Sequence, residues 1–284
     1  LTPLELPMDL LSLVFTVRPL PMTEPRPLPT WWGAAVQSLL FEALREAAPE
    51  ETAAIHDDAS APRPVTASTL VGPRLKGGAL NPEADYTFRM TALNAPVAER
   101  LLQATRPGER LAPGSSIELD YLPFTIVRVT DSPDEDEWAG TADYQVLAAA
   151  HLLTPNPPDR QVMFELISPT AFRSSDRTQP LPLPKLVFHS LAARWNAFAP
   201  VAFPPEVERY AEECLAISRF DLHSRPVTVN NGLRIGAVGR VAYTALTYDR
   251  YWLGVLHTLA AYARFAGIGI MTGPGMGQAC AING

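Results

Sequence analysis

The stretch GIGIMTGPGMG, residues 267–277, sets five glycines among eleven positions near the carboxyl end of the chain. Glycine reaches positive φ and lets another backbone or a ligand come close, at about 0.5–1 kcal/mol per residue in regular structure. Such an opening suits a phosphate held by main-chain amides. Two well-known phosphate loops do not fit. A dinucleotide fingerprint follows a strand and opens a helix, whereas this stretch follows a helical pattern, and Thr272 stands at its third glycine position. No Gly-Lys-Ser/Thr run is present for a Walker A loop. The competing reading is a tight turn between a helix and a last strand.

Of the five histidines, His56 closes the short helical piece PEETAAIHDD. A helix carboxyl end, with Asp57 and Asp58 beside it, favours the protonated ring, and an imidazole pKa near 6.5 suits proton transfer around neutrality. Taken alone, a histidine so placed reads as a surface or capping residue. His189 and His257 fall within apolar helical patterns and read as structural, and His151 and His223 have no evident partner. Cys214 and Cys280 are too few for a disulfide framework, no Cys/His cluster has zinc-ligand spacing, and a reducing cytosol fits best. Trp31 and Trp32 are of a type that stacks on bases, although anchoring the first helix in a core is the plainer role.

The 284 residues are 47% hydrophobic and 19% charged, an ordinary globular profile with length for two domains. The net charge of −7 is unevenly spread: residues 1–137 hold 11 basic and 20 acidic side chains, residues 138–284 hold 12 and 10. Eleven of those 12 bases are arginines, suited to bidentate phosphate contacts. An anionic partner is therefore expected locally, at Arg225, Arg234, Arg240, Arg250 and Arg264, alongside Gly267, Gly269, Gly275 and Gly277. The opposing view has these arginines solvated or paired with the domain's own acids. DLLSLVFTV is too short and interrupted to span a bilayer, so a cytoplasmic, untargeted protein without a membrane partner is expected.

The elements that would position these groups follow from hydrophobic spacing. DLLSLVFTV reads as a strand and TWWGAAVQSLLFEALREA as a helix burying Trp32, Val36, Leu39, Leu40 and Leu44. RPVTASTLVG and DYTFRMTAL read as strands, APVAERLLQATRPG as a helix with Gly108 past its end, and SIELDYLPFTIVRV as a hairpin. The order strand, helix, strand, strand, helix, strand is the ferredoxin-like arrangement. DSPDEDEWAG reads as a solvated turn, followed by a short helical TADYQVLAAAHLL and the loop TPNPPDR. The order then begins again: strand QVMFELISPTAF, helix PKLVFHSLAARWNAFAP with Leu186, Val187, Leu191 and Trp195, strands about an Asn-Asn-Gly turn, and helix DRYWLGVLHTLAAYARFAG. That helix is capped by Asp249 and stopped by Gly267, and QACAI closes the sheet. Residues 1–135 and 161–284 are expected as α+β domains joined by a linker at 136–160.

Gly-Ile-Gly, five residues, then Gly-Met-Gly resembles the glycine-rich loop of the CRISPR-associated endoribonucleases that cut repeat RNA into guide RNAs, the sixth Cas family of the RAMP superfamily. Gly267, Gly269, Gly275 and Gly277 fall on its glycines, whereas IMTGP between them lacks the family's usual Lys or Arg; Arg264 is the nearest replacement. LISPTAFRSSDRTQPLPLPKLVFHSLAARWNAFAP resembles the opening of the family's second domain, and VQSLLFEALREAAPEETAAIHDDASAPRPVTASTLVG follows the plan of its first more loosely.

The resemblance covers nearly the whole chain. It implies two tandem ferredoxin-like (RRM-like) domains, CRISPR repeat RNA as substrate, and neither metal nor other cofactor. The implied reaction is attack of a 2′-hydroxyl on the adjacent phosphorus, leaving a 2′,3′-cyclic phosphate and a 5′-hydroxyl. It needs a base, an acid and positive charge beside the phosphorane. His56 matches the family's catalytic histidine. Arg63 falls where some relatives carry a catalytic Lys, and Phe41 where some carry a Tyr. Implied partners are the crRNA product and other Cas subunits of a Cascade-type complex. An RNA-holding scaffold with a degraded site is the alternative, and a ligand-binding tandem ferredoxin-like protein unrelated to RNA is a third.

Overall fold

The computed structural model describes residues 8–21, 28–47, 62–76, 79–174, 177–229 and 232–282. His56, the short helical piece around it and the Asn-Asn pair of the later turn lie outside these residues. The chain forms two compact units, one of Met8–Thr141 with Gly273–Gly275, the other of Ala142–Thr272 with the chain from Met276 onward.

The first unit is built on β1 (Leu10–Pro19), α1 (Gly33–Ala47), β2 (Val65–Ala67), β3 (Tyr86–Ala92), α2 (Ala95–Ala104), β4 (Ser116–Leu119), β5 (Leu122–Thr130) and β6 (Gly140–Ala142). Its sheet runs β2-β3-β1-β5-β4, with β6 also paired to β1. β3 and β5 flank β1 antiparallel, and β2 joins β3. This is the ferredoxin-like order, with β5 as fourth strand and β4 added at the edge. Leu11, Leu13, Phe15 and Val17 alternate along β1 and share one core with the expected α1 positions Val36, Leu39, Leu40 and Leu44. Phe15 stacks on Phe88 at 4.9 Å, and Trp32 meets Phe124 edge-on at 5.9 Å. Asn94 caps α2 by accepting from the Val97 amide at 3.0 Å. α2 ends with Thr105 as its cap, and Gly108, φ 90, lies beyond. Asp120 and Tyr121, φ 50 and 65, make the two-residue turn of the predicted hairpin.

The alternate residues of β1 are buried as well, for a reason outside the strand. Ser12 donates to the Trp138 carbonyl at 2.6 Å, and the Arg89 guanidinium lies over the Trp138 ring at 4.6 Å. The acidic run read as a solvated turn thus ends in an indole laid on the far side of β1 and β3. Residues 136–160, expected as a linker with a short helix, carry β6 and that helix, α3 (Tyr144–Leu152).

The second unit comprises α3, β7 (Gln161–Thr170), β8 (Phe172–Ser174), β9 (Arg177–Gln179), α4 (Pro184–Phe198), α5 (Glu206–Cys214), β10 (Leu215–Val229), β11 (Gly232–Ala245), α6 (Arg250–Ala266) and β12 (Ala279–Ile282). Its sheet order β10-β11-β7-β12 is the same arrangement, all neighbours antiparallel. Phe164, Phe188 and Tyr243 meet at 5.9–6.1 Å between the sheet and α4. α3 packs along α6, where Gly254 leaves room: a Cβ there would lie 2.9 Å from Leu152 and 3.0 Å from the His151 carbonyl. α5 was not foreseen. Its three buried positions, Val207, Tyr210 and Ala211, are outnumbered by acids in a run led by prolines. Among the described residues no helix is long and apolar enough to cross a membrane.

Asp249 caps α6 as expected, its carboxylate accepting from the Trp252 amide at 3.1 Å, and Gly267 ends the helix at φ 67. Replacing such a cap by alanine costs about 1 kcal/mol. Asp249→Ala is therefore expected to lower the urea midpoint of unfolding without changing the slope, and Asp249→Asn to keep most of the stability.

Candidate nucleic-acid interface

The glycine-rich stretch between α6 and β12 is buried over most of its length. The space its glycines leave is taken by the protein's own main chain. A Cβ on Gly269 would lie 2.2 Å from the Ala171 carbonyl oxygen, and one on Gly277 would lie 2.0 Å from that of Ile268. Both glycines also have positive φ, 83 and 69. Main-chain amides are committed in the same way: Ile268 donates to Gly277, Ile270 to Ala171 and Gly277 to Pro169, at 2.7–3.0 Å. The Gly269 amide donates to the Ser190 hydroxyl at 2.7 Å.

The base absent from IMTGP comes from α4. Arg194 donates to the Gly269 carbonyl, to Thr272 Oγ1 at 3.3 Å and to Ser190 Oγ at 2.8 Å. Desolvation pulls its pKa below the ordinary arginine value. Sequence reading missed Arg194 because its signal, a base one turn after Ser190 on a core helix, points to nothing without the loop above it.

The tip, Gly273–Gly275, is counted with the first unit. Within that unit, Trp31 Nε1 donates to the Pro274 carbonyl at 2.6 Å. A Cβ on Gly33 would lie 1.9 Å from that same oxygen, and one on Gly273 would lie 2.2 Å from Gln37 Nε2. Trp32 is buried in the core, its plainer role, whereas Trp31 is half-buried. Arg63 is half-buried with its guanidinium 5.7 Å from the centre of the Phe41 ring, and Phe41 is itself buried.

The candidate arginines of the second unit separate into groups. Arg225 lies opposite Gly236, and Val227 opposite Arg234, so the two arginines share one face of the β10–β11 hairpin. This part of the hairpin extends beyond β7, whose pairing with β11 begins at Ala237. Arg173 and Arg177, which the sequence reading passed over, are exposed on β8 and β9 just after β7. Arg240 instead stands between Asp221 and Glu165 on the neighbouring strands and is ion-paired to Glu165 at 2.9 Å. Arg250 donates to the carbonyls of Thr154 and Pro155, and Arg264 lies beside Phe265, 5.8 Å from the ring centre. His189, read as structural, is exposed and bonded to Glu208 at 2.7 Å.

The chain thus holds two ferredoxin-like units, the second closing on a glycine-rich turn. The family model of "CRISPR-associated endoribonuclease Cas6" matches residues 164–279. That match takes in most of the second unit, and the chain as a whole has a fold similar to solved Cas6 proteins. A Cas6 product complex is similar at 26% identity with a TM-score of 0.76, over 97% of this chain and 100% of that one. A histidine mutant of Cas6 is similar at 25% identity and 0.74, over 97% and 100%. The curated Cas6 endoribonuclease of Mycobacterium tuberculosis CDC 1551 is 29% identical over 129 residues, 45% of this chain; the match spans less than half of that relative's length, 41%.

The turn's geometry yields a controlled comparison. Gly108, φ 90, has nothing within 4 Å of a Cβ, whereas Gly269 has a carbonyl oxygen at 2.2 Å. Gly108→Ala should cost only the left-handed backbone, about 1 kcal/mol, and Gly269→Ala more than about 2 kcal/mol because main chain must also move. Thermal unfolding of both variants reads the difference. Arg194→Met should approach the larger loss, since it leaves the Gly269 carbonyl without its donor.

Proposed function

We propose that the chain is a metal-independent endoribonuclease that cuts CRISPR repeat RNA to guide RNA, leaving 2′,3′-cyclic phosphate and 5′-hydroxyl ends. The observation that carries this reading is the likeness, over 97% of the chain, to a Cas6 protein solved with its product. His56 takes or gives the proton at the reacting oxygens. Arg63, held at the Phe41 ring, supplies positive charge to the phosphorane and, with its high pKa, no proton.

RNA contacts in this reading come from Arg225, Arg234 and Arg264, with Arg173 and Arg177 added; Arg240 and Arg250 contribute after exchange of their present partners. The part given to Gly267, Gly269, Gly275 and Gly277 becomes one of shape: their buried backbone holds the turn compact, and RNA lies against its outer side. The protein works in the cytoplasm, keeps its crRNA, and joins other Cas subunits of a Cascade-type complex.

A second reading, an RNA-holding scaffold, is favoured by one observation: Phe41 is a buried ring with no proton to transfer at a place where some relatives carry Tyr. Labelled repeat RNA incubated with the protein in EDTA separates the two. Cleavage ending in a cyclic phosphate is expected, with His56→Ala slowing single turnover by about 10²- to 10⁴-fold. Binding of RNA that stays intact would establish the scaffold instead, and an undiminished rate in His56→Ala would remove that imidazole from the reaction.

A further inference from the structure

A cavity of about 500 Å³ opens in the second unit where α3 and α6 meet the ends of β7 and β12. Its size is within the usual range for one small ligand, roughly 300–1,000 Å³. His151 and His257 face each other along one side, ring centres 6.0 Å apart and planes within 21°. Ala260, Ala261 and Ala281 line it with small, flat surface, and Asp159 and Gln161 supply the remaining polar groups.

The hydrogen-bonding capacity of this cavity is one-sided. Asp159 accepts from the Gln161 amide at 2.9 Å through Oδ1, which leaves Oδ2 open. The Gln161 side-chain nitrogen donates to Thr244 Oγ1 at 3.3 Å, so its carbonyl oxygen is what remains to offer. His257 Nε2 donates to the Asp159 carbonyl at 2.9 Å, which puts the proton on that nitrogen and a lone pair on Nδ1. Burial first, and then His257, push the His151 pKa below its usual value, so at neutral pH His151 presents an uncharged ring. Acceptors therefore outnumber donors. No lysine or arginine lines the cavity among the described residues, and the Asp159 carboxylate repels phosphate. The ligand that matches is planar, uncharged at the point of contact and rich in donors.

We propose that this cavity binds a guanine base, carried by a free nucleotide or unpaired in an RNA strand. Guanine alone among the four bases sets two adjacent donors, N1–H and the N2 amino group, on one edge, where a single carboxylate accepts both. Its flat face lies on the alanine floor, beside the stacked imidazoles, and its ribose and phosphate stay outside. Adenine and cytosine offer one amino group beside an acceptor that would face the carboxylate, and uracil offers one donor between two acceptors.

Calorimetric titration of the full chain with GMP, AMP, CMP, UMP and IMP tests this. GMP should bind at least about tenfold more tightly than AMP, CMP or UMP, a difference of about 1.4 kcal/mol. IMP, which lacks the N2 amino group, should fall between. Asp159→Asn keeps an oxygen for the Gln161 amide while replacing the open acceptor by a donor, and it should abolish the preference. Ala261→Leu, which fills the floor, should weaken GMP. Binding of GMP should also weaken as pH falls through the lowered titration range of His151, because the protonated ring adds positive charge where guanine presents its donors. Equal affinity for all five nucleotides, an unchanged preference in Asp159→Asn, or a site that takes spermidine and not GMP would each overturn the proposal. A guanine-containing single strand that binds while GMP does not would place the base within RNA, and loss of that binding in Asp159→Asn would retain the assignment. The readout is binding at a site remote from His56 in sequence and chemistry, so its result is independent of whether the chain cleaves repeat RNA.

Discussion

The approach of Gly269 to the Ala171 carbonyl is the contact on which the second unit turns. It brings the end of α6 against the end of β7 with no side chain between them, at a spacing that no residue with a Cβ permits. The Gly269 amide and carbonyl are both taken by α4, through Ser190 and Arg194. One peptide thereby ties a helix end, a strand end and a second helix. Its neighbour Gly277 repeats the device at the start of β12, against Ile268. The conformational entropy lost in ordering so many glycines is offset by these hydrogen bonds, and the arrangement fixes where the last strand enters the sheet.

This accounts for why so bare a segment has so little open surface. A phosphate nest needs free amides that converge outward. Here most amides of the turn converge inward on carbonyls and on Ser190. The positive charge available to an anionic strand is accordingly carried by side chains on strands, above all those of the β10–β11 and β8–β9 hairpins, whereas Arg194 is spent on internal carbonyls. Acids decide the rest: Glu165 and Asp221 hold Arg240 from both sides, so its charge is partly offset in the free protein.

Much of the fold was legible because hydrophobic spacing and caps agree locally. β1, α1, β3, α4 and α6 carry clear periodicities, and Asp249, Asn94 and Gly267 mark helix ends by chemistry that works within a few residues. What escaped the sequence depends on distant partners. α5 has too few apolar positions to stand out, and the short helix foreseen in TADYQVLAAAHLL, α3, gave no sign that it packs along α6 at Gly254, about a hundred residues later. Trp138 was hidden in an acidic run because only Ser12 and Arg89 give it a place. The candidate site divides in the same way. The glycine spacing was plain, but the reason for it was not, since Ala171, Ser190 and Arg194 adjoin the loop only after folding. Arg225 and Arg234 share a face by strand register alone, which the alternation of two runs about a short turn could have disclosed.

The β10–β11 hairpin past the end of β7 has a mechanical corollary. Two strands without a third on either side lack the stacking neighbours that flatten a sheet, and such ribbons coil more strongly and bend more readily. Arg225 and Arg234 therefore ride on a coiled ribbon, on the face that also buries Val227 and Val229. Coiling of that kind turns the hairpin's end out of the plane of the four-stranded sheet.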